Sequence, residues 1–233
     1  MLADHARSIG RFLRNLRRAI LGLLASVAAL TVAIFPFSPR LCLALQNHLQ
    51  QDLVFYTVSE PFLAHVQLSL CAALALLVPA SFAVLWTGLA DHFGMGRPAA
   101  IAFTACTTVL FYAGAAFCAL FTLPYGIEFL LGFQSEQLKA AISIGRFVNF
   151  VTLFILSFGM IFELPVFMVF AARTRLLPLS AFQSGRRYAV LGISIAAALL
   201  TPTPDIFNMM LMAVPLYGLY EAGILAIRLA GPR

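Results

Sequence analysis

Charge is scarce in this chain. Of its 233 residues only 10% are Asp, Glu, Lys or Arg, and 62% are hydrophobic. A soluble domain carries about 25% charged residues, so this chain cannot cover a core of its own with polar surface. A lipid bilayer accepts that apolar surface instead, and the expected class is an integral membrane protein folded as one domain over residues 1–233. Alternation of apolar and polar residues is also missing, which excludes an outer-membrane barrel; the apolar stretches are continuous, as in spanning helices. The four cysteines, Cys42, Cys71, Cys106 and Cys118, form no C-x-x-C pair and read as small packing residues. His5, His48, His65 and His92 are scattered without metal-ligand spacing. There is no zinc-binding H-E-x-x-H, no G-x-S-x-G nucleophile elbow and no phosphate-cradling glycine loop. The sequence therefore implies no enzyme, no metal and no cofactor.

The charge that is present is placed. Net charge is +6, but the cations sit in short segments between apolar runs, and no stretch interleaves basic and aromatic residues, so nucleic acid is not an expected partner. Six spans can be read, at about 19–37, 62–87, 99–123, 147–172, 188–201 and 206–221. The first run, Ala19 to Phe37, is longer than the ~7–15 apolar residues of a signal peptide and reads as an uncleaved span. With the N-terminus in the cytoplasm, the inner segments hold twelve arginines, namely Arg7, Arg11, Arg14, Arg17, Arg18, Arg97, Arg173, Arg175, Arg186, Arg187, Arg228 and Arg233. The outer segments hold three cations, Arg40, Lys139 and Arg146. Twelve against three is a strong positive-inside bias and puts both termini in the cytoplasm. The stretch LCLALQNHLQQDLVF alternates at roughly helical spacing, and YGIEFLLGFQSEQLKAAI resembles it, so each outer loop is expected to carry an amphipathic helix. Residues 188–201 span only ~21 Å as a helix, against a hydrocarbon core of ~30 Å. The sixth run is barely longer, and Pro202 and Pro204 stop the hairpin between them from extending. Short spans are met by interfacial loops or by a locally thinned bilayer.

One acid lies deep in an apolar run. Glu163 stands in FGMIFELPVFMVF, ten residues before Arg173, about 15 Å of helix from the inner end and near mid-bilayer. A charged side chain facing lipid there costs about 2.5–3.5 kcal/mol on insertion scales. The acid either stays neutral in a buried site or faces a groove with water or a polar partner. Three readings stay open. It can bond internally, to Ser157, Thr152 or a carbonyl freed by Pro165; it can line a groove and bind a polar residue of a visiting helix; or it can relay protons. Asp205 reads as a cap for the sixth span, Glu221 as an interfacial acid facing Arg228 or the basic inner loops, and Met209, Met210 and Met212 as soft apolar contacts.

Five segments in order resemble the TatC family, the multi-span core of the twin-arginine protein translocase. SEPF, with Ser59, Pro61 and Phe62, is similar to the family's S-x-P-F, and LVPASFAVLW, through Pro79 and Trp86, to its P-x-x-x-x-x-x-W. SFGMIFELPV resembles F-G-x-x-F-E-x-P-V; RRYAVLGISIAAALLTPTPDIF resembles its R-x-Y…T-P-P-D stretch with one extra residue; PLYGLYEAGI matches its ending. The resemblance implies a concave, glove-like fold of six transmembrane helices, all-α, with short helices five and six. It implies a receptor in the bacterial cytoplasmic (inner) membrane that binds signal peptides of folded exported proteins and recruits single-span TatA/TatB-type subunits, as a homo- or hetero-oligomer driven by the proton-motive force. Glu163 and Pro165 would then form an intramembrane polar site. The final hairpin, Leu200, Thr201, Pro202, Asp205, Met209 and Glu221, would present the partner-binding edge. Asn15, Arg17, Asp91 and Arg97 would meet the signal peptide.

The chain departs from the family at that last point. The family's H-L-x-E-L-R-x-R is here FLRNLRRA, with Asn15 where a glutamate is expected. Its P-x-L-Y-x-x-E loop is here DHFGMGR, with Asp91 at the proline and Arg97 near the glutamate. Carboxylates pair bidentately with guanidinium groups, so the missing acids bear directly on recognition of an arginine pair. Asp91 or Asp4 supplies the charge from a shifted position, or signal reading is altered in this chain, or the loop is aligned out of place. Two rivals follow: a paralogue serving as scaffold without twin-arginine recognition, and a six-span small-solute transporter with a polar pathway.

Overall fold

The computed structural model describes residues 20–49, 53–132, 142–200 and 206–230. Helix α1 covers 20–34 and runs through a 3-10 turn at Phe35–Phe37, started by Pro36, into α2, Ser38–Leu49. α3 is Glu60–Phe93 and α4 is Arg97–Phe117. A π-helical turn, Cys118–Thr122, carries α4 into α5, Leu123–Leu131. α6 is Ile144–Phe162, α7 Leu164–Arg173, α8 Leu179–Ser184, α9 Arg186–Leu200 and α10 Ile206–Ala230. Five helical stretches among the described residues are long and apolar enough to cross a membrane: Ile20–Leu49, Glu60–Phe93, Arg97–Phe129, Ile144–Arg173 and Met209–Leu229.

Local chemistry sets the ends. Proline stands at the first turn of α3, α4, α5 and α7, where a missing N–H costs nothing and the fixed φ suits a helix start. α3 stops at Gly94, the one glycine with positive φ (64°) among the described residues, whose N–H reaches Ala90 O while Met95 N–H bonds the same carbonyl at 2.9 Å. Only glycine takes that left-handed turn cheaply. The helix predicted in the first outer loop is α2, and α5 covers the first half of the second such stretch.

Three features differ from the sequence reading. The outer loops meet as a parallel two-residue pair, β1 (Leu53–Val54) on β2 (Ile142–Ser143), with Leu53 opposite Ile142. The expected fourth span is two helices, α6 and α7, broken at Glu163. Helix α10 continues past Glu221 to Ala230 and has 25 residues, about 37 Å. Shortness is thus confined to α9, whose 15 residues span about 22 Å. The sixth helix outruns expectation because Glu221 is paired rather than placed at a helix end.

α4 packs on both α3 and α6, α3 also on α6, and α10 on α7 and α9. The single tryptophan, Trp86, is fully buried; it stacks on Phe103 at 4.7 Å, meets Phe170 edge-on at 5.1 Å, and donates Nε1–H to Thr107 Oγ1 at 3.2 Å. It ties α3, α4 and α7 together, which gives the P-x-x-x-x-x-x-W segment a packing role. α4 and α6 approach through reciprocal glycines. A Cβ on Gly114 would lie 2.6 Å from Phe162 Cγ and 2.7 Å from Phe158 O, and one on Gly159 would lie 2.6 Å from the Phe111 ring. Such close helix approach in a membrane needs small residues at the contact.

Gly159→Ala and Gly114→Ala should each lower the melting temperature of the detergent-purified protein, a loss of about 1–3 kcal/mol from overpacking that exceeds the ~1 kcal/mol helix-propensity gain of alanine at its upper end. Gly192→Ala, where an added Cβ meets nothing within 4 Å, is the control and should melt at or above the parent.

Candidate functional site

Glu163 is both the C-cap of α6 and the N-cap of α7. Its backbone is satisfied: the N–H reaches Met160 O at 3.2 Å, and its carbonyl accepts from Val166 at 3.0 Å and Phe167 at 3.2 Å. Pro165, two residues on, has no N–H to give to Ile161 O, which is why the helix resets here. The side chain points into protein. Glu163 is 1% exposed. Neither carboxyl oxygen has a hydrogen-bond partner among the described residues. Phe111 of α4 lies against Gly159, one turn earlier on α6. On the other side Gly223 of α10 closes on α7, with its Cβ position 3.3 Å from Pro165 Cα.

Of the three readings left open for Glu163, an open groove is not what the resting structure presents: the acid is 1% exposed. The site is sealed because the glycine contacts bring α4 against the face of α6 that carries the acid. The internal bonds expected from Thr152 are used elsewhere: its Oγ1 donates to Val148 O at 2.6 Å and lies 3.1 Å from Gln67 Nε2, which also donates to Asn149 Oδ1 at 2.8 Å. Two cavities, of about 310 and 590 Å³, are lined mostly by apolar side chains, and neither is lined by Glu163.

The other expected site residues fall in separate places. Asp91, in the last turn of α3, and Arg97, the first residue of α4, are both exposed and flank the Gly94 turn. Asn15, Arg17, Thr201, Pro202 and Asp205 lie outside the described residues, and Leu200 closes α9. Met212 is fully buried in the core, Met209 partly buried, and Met210 54% exposed. Glu221 pairs with Arg186 through two hydrogen bonds, Nε to Oε1 at 2.7 Å and Nη2 to Oε2 at 2.9 Å, and accepts Tyr217 Oη at 3.1 Å. Of the two partners anticipated for Glu221, the inner loop supplies the arginine. That exposed fork joins α9 to α10, while Tyr220 Oη donates to Phe182 O at 2.7 Å and binds α8 to the same end.

Sequence reasoning missed Glu60. It named Ser59, Pro61 and Phe62 around it, yet Ser59 makes no side-chain cap and Phe62 is 60% exposed, its ring 5.9 Å from Phe35. Glu60 is the group that organises the outer side: it accepts the Tyr56 N–H at 2.8 Å and the Ser143 hydroxyl at 2.8 Å, beside β1 and β2. An acid in the first turn of a helix was the available signal, since it complements the orphan N–H groups there.

These features define a polytopic α-helical membrane protein, held together at the outer side by Glu60 and the strand pair, with one sealed acid at a helix break and basic inner turns. The family model of the Sec-independent protein translocase protein (TatC) matches residues 11–215. The chain is similar to the Sec-independent protein translocase protein TatC of Helicobacter pylori (strain J99), 30% identical over 221 residues, covering 94% of this chain and 88% of that one. It is equally similar to the protein of that name from Desulforapulum autotrophicum, 30% identical over 184 residues, 78% of this chain and 68% of that one. Two crystal structures of the twin-arginine translocase receptor TatC share the fold. One has a TM-score of 0.83 at 24% identity, with 94% of this chain and 99% of that chain covered; the other, in DDM, has 0.82 at 23%, with 92% and 98% covered. The chain belongs to the TatC family and is a component of the Sec-independent translocase.

A sealed carboxyl without partners forfeits about 1–3 kcal/mol relative to a satisfied or apolar group. Glu163→Leu, close to it in volume, should therefore raise the melting temperature of the purified protein. Destabilisation by Glu163→Leu would mean that the acid has a partner at rest.

Proposed function

We propose that this chain is the receptor core of a twin-arginine protein translocase in the bacterial cytoplasmic membrane. It binds signal peptides of folded cargo on its inner face, gathers single-span TatA/TatB-type subunits into an oligomer and supports export driven by the proton-motive force. It acts by binding and rearrangement, without catalysing a chemical step. The observation that carries this reading is the family match along residues 11–215. Three features support it. Asp91 is an exposed carboxylate at the first inner turn, on offer to a guanidinium pair. The 15-residue α9 is some 8 Å shorter than a ~30 Å hydrocarbon core, which favours a thinned bilayer at that edge. Glu163 is a polar group stored without a partner, available to a polar side chain of an inserted helix once α4 or α7 shifts. In this reading the resting site is closed, and engagement opens it.

The departures at Asn15 and Arg97 favour a second reading, a scaffold that assembles with translocase partners without reading the arginine pair.

Export of a folded reporter behind a twin-arginine or a twin-lysine signal peptide, in cells lacking their own receptor, separates the two. The receptor reading expects export with arginine and little with lysine. It expects Asp91→Ala to cut export roughly tenfold or more, the loss of one charge-assisted bond of about 1.5–3 kcal/mol. Equal, negligible export of both reporters by a chain that still co-purifies with a single-span partner supports the scaffold. Full export by Asp91→Ala removes Asp91 from the site. Glu163→Leu should export poorly despite its higher melting temperature.

A further inference from the structure

The two sides of α10 are occupied unequally. One side packs on α7 and the other on α9, and between them lies a groove of about 590 Å³. Met160, Leu164 and Phe167 form one wall, Ala189, Gly192 and Ala196 the other, and Leu216 and Tyr220 the floor. The wall of α9 carries three small residues beside Ile193, and a side chain added at Gly192 would meet no atom within 4 Å, so the space is open there. Met160 is 59% exposed and Phe167 39%. The groove runs along the membrane-spanning part of the molecule, and its volume is in the range of ~300–1,000 Å³ typical of small-molecule sites.

Its inner end is cationic. α7 finishes at Arg173 and α9 begins with Arg186 and Arg187. On the three helices of the groove the charged side chains of this end are Arg173, Arg186, Arg187 and Arg228, with Glu221 the one acid of α7, α9 and α10. Glu221 is committed to Arg186. Arg173 and Arg187 are exposed, and Arg187 lies 5.3 Å from the centre of the Tyr188 ring. An apolar channel that opens at one end onto surplus arginines fits an amphiphile with acyl chains and a negatively charged head.

The geometry points to a binding site for one anionic phospholipid in the α7–α10–α9 groove, its acyl chain against Gly192 and its phosphate at Arg173 and Arg187. This is independent of whether the chain reads twin-arginine signals. Anionic surfaces attract each nearby arginine by about 1 kcal/mol, so two arginines correspond to roughly thirtyfold preference over a zwitterionic lipid.

Native mass spectrometry of the full chain in mild detergent, supplied with equal phosphatidylglycerol and phosphatidylcholine, tests it. The expected result is one retained phosphatidylglycerol per chain, preferred roughly thirtyfold. Gly192→Leu fills the groove and should lose the retained lipid; Ala196→Leu is the second filling variant should the first not fold. The Arg173→Gln/Arg187→Gln double variant should keep a retained lipid but bring the two headgroups to near parity. Retention by both filling variants at the parent's level overturns the site. So does a headgroup preference that survives loss of both arginines. Capture of a single-span polypeptide, in place of lipid, by a photoreactive residue substituted for Ala196 in native membranes would assign the groove to a helix and also overturn it.

Discussion

The reciprocal glycine contact between α4 and α6 governs the middle of this molecule. Gly114 lets Phe158 and Phe162 come against α4, and Gly159 lets the Phe111 ring come against α6. Both contacts are closer than any side chain beyond hydrogen allows, so the two helices are locked at one separation and one rotation. That rotation turns Glu163, one turn beyond Gly159, into protein instead of lipid. The break after Phe162 follows from Pro165, which has no N–H to continue the helical bonding to the Ile161 carbonyl. The acid therefore sits at the place where the helix is weakest and the packing around it tightest. A polar group held this way keeps unmet hydrogen-bonding capacity, which the proposed function assigns to a partner offered by a rearrangement.

The rest of the fold is braced at its two ends. On the outer side Glu60 collects the Tyr56 N–H and the Ser143 hydroxyl next to a two-residue parallel strand pair, so loops far apart in sequence act as one cap. At the inner end the Arg186–Glu221 fork and the Tyr220–Phe182 bond hold α8, α9 and α10 together. The fork is exposed, so its contribution is orientation more than stability. It explains how α9 can be too short for the bilayer and still be held in place: its inner end is tied to α10, which at 25 residues is long enough to span.

Much of this was legible in the sequence where the cause is local. Continuous apolar runs and the helical spacing of residues 41–55 each act within a few residues, and the helices follow them. The order of five motifs also identified the family correctly. Features that depend on a second segment were not legible. The strand pair needs both outer loops at once. The length of α10 was misjudged because Glu221 looked like an interfacial stop, whereas Arg186, remote in sequence, neutralises it inside the helix. The direction of Glu163 could not be read from its own span, since the groove, one of its three readings, is closed by glycines of which one, Gly114, lies on another helix. Glu60 was overlooked between two motif residues, although acids at helix N-termini are a recognised signal.

The central claim is that Glu163 is closed to water at rest and uncovered when a signal peptide engages. Glu163→Cys in a chain otherwise free of cysteine, probed with a water-soluble maleimide in inverted membrane vesicles, tests it directly. The account predicts negligible labelling of resting vesicles and a clear rise when a twin-arginine signal peptide is added. Labelling that is already strong at rest and unchanged by the peptide would contradict it.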